Sequence, residues 1–173
     1  NKMQSLNYRN FYIGLFISAV ISAILFILSY TLGKDNFFLL LNGNLGTAAD
    51  YFFGVITDAG DALMWIAVLA IILIMKRKEL LFLITCAFIF TTIFTQGCKI
   101  FILPNESRPW KAIADHSLIH HVYFIDPWLT SSFPSGHTAT AFTYYLLFCL
   151  ILKPNAWLWA GLIYAMVVGY SRI

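Results

Sequence analysis

Residues 10–33 read NFYIGLFISAVISAILFILSYTLG, a run with no charged residue, bounded by Arg9 on one side and Lys34 on the other. A helix needs ~20 predominantly apolar residues to cross a bilayer, so this run predicts a first membrane span. A signal peptide would have a shorter apolar core and a small-residue cleavage site, and neither is evident, so the span is expected to be retained. Composition agrees with a membrane solvent. Hydrophobic residues make up 60% of the chain, aromatics 17% and charged residues only 11%, against roughly 25% charged in soluble domains.

Four more spans are expected. The apolar run from Leu80 to Cys98 lies between Lys76-Arg77-Lys78-Glu79 and Lys99 and predicts a span over about 80–100. Another runs from His137 through Tyr144, Tyr145 and Phe148, over about 136–152, closed by the turn signal Lys153-Pro154-Asn155. A fifth follows over about 156–171. The second span is the least regular. Asp61 and Lys76 bracket fourteen uncharged residues, about 21 Å of helix, so it must begin earlier and is placed over about 55–75. Asp58 and Asp61 then lie near one membrane face, where acidic residues favour helix starts and read as caps.

The fold class that follows is all-α: a polytopic transmembrane helical bundle of five visible spans in a single domain over 1–173. No linker, repeat or low-complexity tract divides the chain. The segment Phe37–Asp50 reads as interfacial or re-entrant. With the loop Pro104–Thr130 it is expected to meet a substrate headgroup.

Charge placement predicts the orientation. With a cytoplasmic N-terminus, Lys2, Arg9, Lys76, Arg77, Lys78 and Lys153 fall inside, six of the eleven basic residues. Lys34, Lys99, Arg108, Lys111 and Arg172 fall outside. The net charge of +3 thus reflects topology and site chemistry; without a clustered basic face carrying aromatics, it gives no support for nucleic-acid binding.

The outer-side residues form a chemical pattern. Arg108-Pro109, Pro134-Ser135-Gly136-His137 and Ser171-Arg172 come from three segments that the predicted topology brings to one membrane boundary. A phosphate ester concentrates negative charge, so a site that breaks it needs fixed cations, backbone donors and a proton source. Arg108 and Arg172 offer planar forks to phosphate oxygens, and Lys99 a point charge. Ser135 offers a hydroxyl, and Gly136 a backbone N–H that a ligand can approach closely. His137 is the side chain suited to deliver a proton near neutral pH.

With these motifs the chain resembles the type 2 phosphatidic acid phosphatase (PAP2) superfamily of integral-membrane lipid phosphatases. The family's first motif is a lysine followed by Arg-Pro, here Lys99 and Arg108-Pro109; its second is Pro-Ser-Gly-His, here residues 134–137; its third opens with Ser-Arg, here Ser171-Arg172. The family usually has six residues between the lysine and the Arg-Pro, whereas eight separate Lys99 from Arg108. The resemblance implies catalysis by His137 as general acid, with Lys99, Arg108, Ser135, the Gly136 N–H and Arg172 holding the phosphate. It also implies a phosphohistidine intermediate on a third-motif histidine, oriented by an aspartate. Those two residues and a sixth span would lie beyond Ile173, so the chain is expected to be truncated at its C-terminus and, as it stands, inactive. No metal or other cofactor is expected.

The expected function is metal-independent dephosphorylation of a lipid phosphate or diphosphate at the periplasmic face of a bacterial cytoplasmic membrane. The expected partners are that lipid substrate and the surrounding membrane lipids. Polyprenyl diphosphate, lipid A phosphate, phosphatidylglycerol phosphate and phosphatidic acid all fit. A lipid phosphotransferase with the same site is one alternative, and a non-catalytic transporter or scaffold another. Individual elements have plainer readings: Pro-Ser-Gly-His as a turn with Ser135 capping a helix, and Lys99 as a snorkelling interface anchor. His116, His120 and His121 lack a zinc-protease spacing and fit a polar outer loop. Trp110, Trp128, Trp157 and Trp159 fit an interfacial belt, and Cys86, Cys98 and Cys149, all within spans, imply no disulfide framework.

Overall fold

The computed structural model describes residues 6–58, 60–61, 63–74, 76–104, 106–122 and 132–173. Among them all regular structure is helical, and no strand occurs. The elements are α1 (Tyr8–Leu32), α2 (Lys34–Leu41), α3 (Thr47–Asp58), α4 (Leu63–Ile74), α5 (Leu81–Gly97), α6 (Pro109–Ala112), α7 (Gly136–Ile151) and α8 (Ala156–Tyr170). A 3₁₀ turn, Lys78–Leu80, leads into α5, and a π turn, Cys98–Ile102, continues it.

Two helices are long and apolar enough to cross a membrane, Tyr8–Leu32 and the continuous stretch Lys78–Ile102. Gly136–Ile151, Ala156–Tyr170 and Met64–Ile74 are apolar but shorter. The start of α1 follows from its cap: the Asn7 side chain accepts the Asn10 N–H at 3.1 Å, satisfying a donor that the helix itself cannot. Large apolar side chains then remain exposed along it, including Phe16, Phe26 and Tyr30.

Helix α7 is the centre of the bundle and packs against α8, α1 and α5. One of its faces puts Tyr144 and Leu147 into a core with Trp65, Ile72, Leu80 and Ile84; the other puts Ala141, Tyr145 and Cys149 against Leu158, Ala165 and Val168. Gly161 makes the second contact close, since a Cβ there would come within 2.9 Å of the Tyr145 ring. The short 152–155 connection makes α7 and α8 an antiparallel hairpin. The chain start clasps that turn, with Asn7 N–H donating to Leu150 C=O at 2.7 Å and Asn10 Nδ2 to Asn155 Oδ1 at 3.2 Å. The opposite end of the hairpin therefore carries both the beginning of α7 and the end of α8.

The continuous helix expected over 55–75 is instead two helices. A turn at Gly60-Asp61 separates α3 from α4, with Gly60 N–H bonded to Thr57 C=O and Asp61 N–H to Asp58 C=O, each at 3.0 Å. Asp58 thus closes a helix where a cap at a helix start was expected. Glycine is a poor helix residue, and here it also fits a space that no side chain could enter, as described below. The segment expected to lie at the interface, Phe37–Asp50, holds most of α2 and the first turn of α3.

Candidate functional site

Ser135 is the N-cap of α7: its Oγ accepts the Thr138 N–H at 3.3 Å, and its carbonyl accepts the Ala139 N–H at 3.0 Å. The plain capping role expected of this residue is thus what its hydrogen bonds show. Capping aligns the first-turn amides at the positive end of the helix, where anions are favoured. Among the described residues, a Cβ on Gly136 would meet nothing within 4 Å. His137 follows, half-buried.

The hairpin geometry brings Arg172 to the same end, just past the last turn of α8. That is the negative end of a helix dipole, a favourable seat for a cation. Its Nη1 donates to Thr57 Oγ1 of α3 at 2.9 Å. Ser171 is occupied locally, its hydroxyl donating to Val168 C=O at 2.7 Å.

Lys99 arrives on the π turn after α5. Thr91 and Thr143 share a hydroxyl contact of 3.0 Å between α5 and α7. The Leu103 N–H bonds to Cys98 C=O at 2.9 Å, five residues back, so the turn absorbs one residue more than an α-helix would. This takes up part of the surplus between Lys99 and Arg108. Arg108 sits in extended backbone immediately before Pro109, the first residue of α6, a conformation that a following proline favours.

These groups lie within electrostatic reach of one another. The charges of Arg108 and Arg172 act on Lys99, and those of Arg172, Asp61, Asp58 and Lys99 act on His137. Partial burial, then the Arg172 charge, lowers the Arg108 pKa from its ordinary value. Burial likewise lowers the pKa of Arg172, while Asp61 acts in the opposite direction. Cations gathered this way repel, and an anion among them would relieve the repulsion.

Sequence reading missed the α3–α4 turn as a wall of this site. Had Gly60 a Cβ, it would fall 2.7 Å from Val168 Cγ1 and 3.0 Å from both Cβ and the carbonyl oxygen of His137. The turn therefore rests directly on the histidine. The only sequence signal was a small residue held between two acids.

The loop histidines are dispersed. His120 Nε2 lies 2.9 Å from Asp50 Oδ1, and the His120 N–H donates to Asn42 Oδ1 at 2.7 Å. His116 and His121 pack on the Trp110 ring, with centroids 4.3 and 4.9 Å away. Among the described residues no group of three or more His, Cys, Asp or Glu side chains could hold a metal. Trp110 is thus engaged in the loop, while Trp157 packs on Phe148 and Trp159 is exposed. Lys2, Asn105, Trp128 and the 123–130 part of the loop expected to meet the headgroup lie outside the described residues.

Over 139 residues the chain is 27% identical to the undecaprenyl-diphosphatase of Sulfolobus acidocaldarius, an alignment covering 79% of this chain and 63% of that protein. The chain thus spans somewhat less than two thirds of that relative's length. No solved structure matches it. The family model of the PAP2 superfamily matches residues 79–173, the stretch that carries Lys99, Arg108, the Ser135–His137 turn and Arg172. With more than half its length matched, the chain belongs to the PAP2 superfamily.

Proposed function

We propose that the protein removes a phosphate group from a lipid phosphate or diphosphate at a membrane surface without a metal ion. The observation that carries this reading is the placing of three cations within electrostatic reach of one another and of a histidine at the capped start of α7. Lys99, Arg108 and Arg172 bind the phosphate oxygens, joined by the Ser135 hydroxyl and the Gly136 N–H. In the mechanism that the family resemblance implies, a third-motif histidine would attack phosphorus, forming a P–N bond as the P–O bond to the leaving lipid alcohol or lipid phosphate breaks, and His137 would give its proton to the departing oxygen. Water then attacks the phosphohistidine and releases phosphate. The chain's own contribution is mostly positioning and charge stabilisation, as in phosphoryl transfer generally. The Sulfolobus relative's name favours a polyprenyl diphosphate among the possible substrates.

The membrane reading rests on α1 and the Lys78–Ile102 helix, both of spanning length. In this reading α7 and α8 also span, along with the 55–75 segment, and the N-terminus is cytoplasmic. At 16 and 15 residues, α7 and α8 are about 24 and 22 Å long, less than the ~30 Å hydrocarbon core. A site at their shared end would sit slightly below the membrane surface, within reach of a lipid headgroup.

Phosphate release by the full-length protein, assayed against a panel of lipid phosphates and diphosphates, tests the reaction. Activity is expected to survive EDTA and to be inhibited by vanadate, an oxyanion that occupies the same cradle. Loss in EDTA, restored by Mg²⁺ or Zn²⁺, would overturn the metal-free reading, and transfer of the phosphate to a second lipid would identify a transferase. Sidedness is tested separately. In a cysteine-free background, Ser117→Cys is expected to react with a membrane-impermeant thiol reagent added outside intact cells, and Lys78→Cys not to react. The reverse pattern would invert the orientation.

A further inference from the structure

We propose that Thr57 is a positioning residue of this site, setting the plane of the Arg172 guanidinium for the phosphate; the proposal rests on the phosphatase reading above. A guanidinium offers five N–H donors in a rigid planar fork, so fixing one of them fixes the direction of the rest. The Arg172 Nη1 to Thr57 Oγ1 bond, 2.9 Å long, does this across 115 residues of sequence. Threonine suits the task because its branched Cβ restricts where the hydroxyl can lie.

The supports of Thr57 are themselves held. The Phe53 ring lies against Tyr170, at 5.1 Å between centroids, and Tyr170 Oη donates to Leu41 C=O at 2.9 Å. This locks the end of α3 beside the end of α8, where Arg172 begins. Three residues after Thr57, the missing side chain of Gly60 lets the same turn close on His137. One short segment therefore touches both the proposed general acid and a proposed phosphate-binding arginine. It fixes the position of each relative to the other.

A hydrogen bond that only tied α3 to α8 would affect stability and nothing else. The positioning role predicts a different pattern. In the full-length protein, Thr57→Val, which keeps the shape and removes the acceptor, is expected to lower kcat/KM about 10-fold and to weaken vanadate inhibition by a similar factor. Thr57→Ser restores the acceptor and is expected to return both to within about threefold of wild type. In an Arg172→Lys background, Thr57→Val is expected to add little, because the group it orients is gone. Thr57→Ala serves the same comparisons if the valine variant does not fold. Wild-type kcat/KM and vanadate inhibition in Thr57→Val, alongside an impaired His137→Gln enzyme, would overturn the role of Thr57 alone; so would full additivity with Arg172→Lys. Absence of phosphate release by the wild-type full-length protein from every lipid phosphate and diphosphate tested would instead bring down the phosphatase reading and this proposal with it.

Discussion

Replacing His137 with glutamine in the full-length protein is expected to lower turnover by roughly 10²-fold or more, since a positioned general acid contributes about that much. Glutamine keeps a polar side chain of similar reach but has no proton to give at neutral pH. Because His137 occupies the second position of α7 and is only half-buried, the variant is expected to fold, with a thermal midpoint close to wild type. The loss should also depend on the leaving group. A lipid monophosphate expels an alkoxide that needs a proton to depart, whereas p-nitrophenolate does not, so with a lipid monophosphate as reference, p-nitrophenyl phosphate hydrolysis should be much less impaired. Equal losses on both substrates would point to a binding role for His137, and near-normal turnover of the lipid at saturation would remove it from the mechanism.

Much of this site is legible in the sequence because its parts are local. Pro-Ser-Gly-His contains its own turn, its own cap and the start of its own helix, and the 152–155 connection alone requires that Arg172 return to the end where His137 begins. What was not legible depends on contacts between distant segments. Thr57 and Arg172 are far apart in the chain, and nothing near Thr57 announces a partner. The uncharged stretch from Val55 to Met75, broken by acids only at positions 58 and 61, invited a single helix, since hydropathy does not register the cost of closing a turn on another helix. Gly60 explains the break only once Val168 and His137 are seen against it. The loop histidines show the same limit. Their spacing does not reveal that His116 packs on Trp110 or that His120 pairs with Asp50, a partner seventy residues away.

The second large effect is expected at Arg172. Arg172→Lys keeps the charge, and if charge alone held the phosphate the change would be mild. The surroundings argue otherwise. Arg172 is half-buried, its guanidinium is tied through Nη1 to Thr57, and in the proposed reading its remaining donors meet the substrate. A lysine ammonium is a compact point charge on a flexible stem and cannot bond Thr57 while presenting two parallel donors to a phosphate. Losing a charge-assisted bidentate contact in a partly desolvated site is expected to lower kcat/KM by roughly 10²-fold. Arg108→Lys should follow in the same direction, since Arg108 is also partly buried beside Arg172. Lys99→Ala is expected to be milder than either, because Lys99 contributes a single charge from a π turn while two guanidinium groups remain. Steady-state kinetics of the three variants on one lipid substrate test this ranking. If Lys99→Ala proves the most damaging, the phosphate is held chiefly by the lysine, and the geometry that Thr57 imposes on Arg172 matters less than its charge.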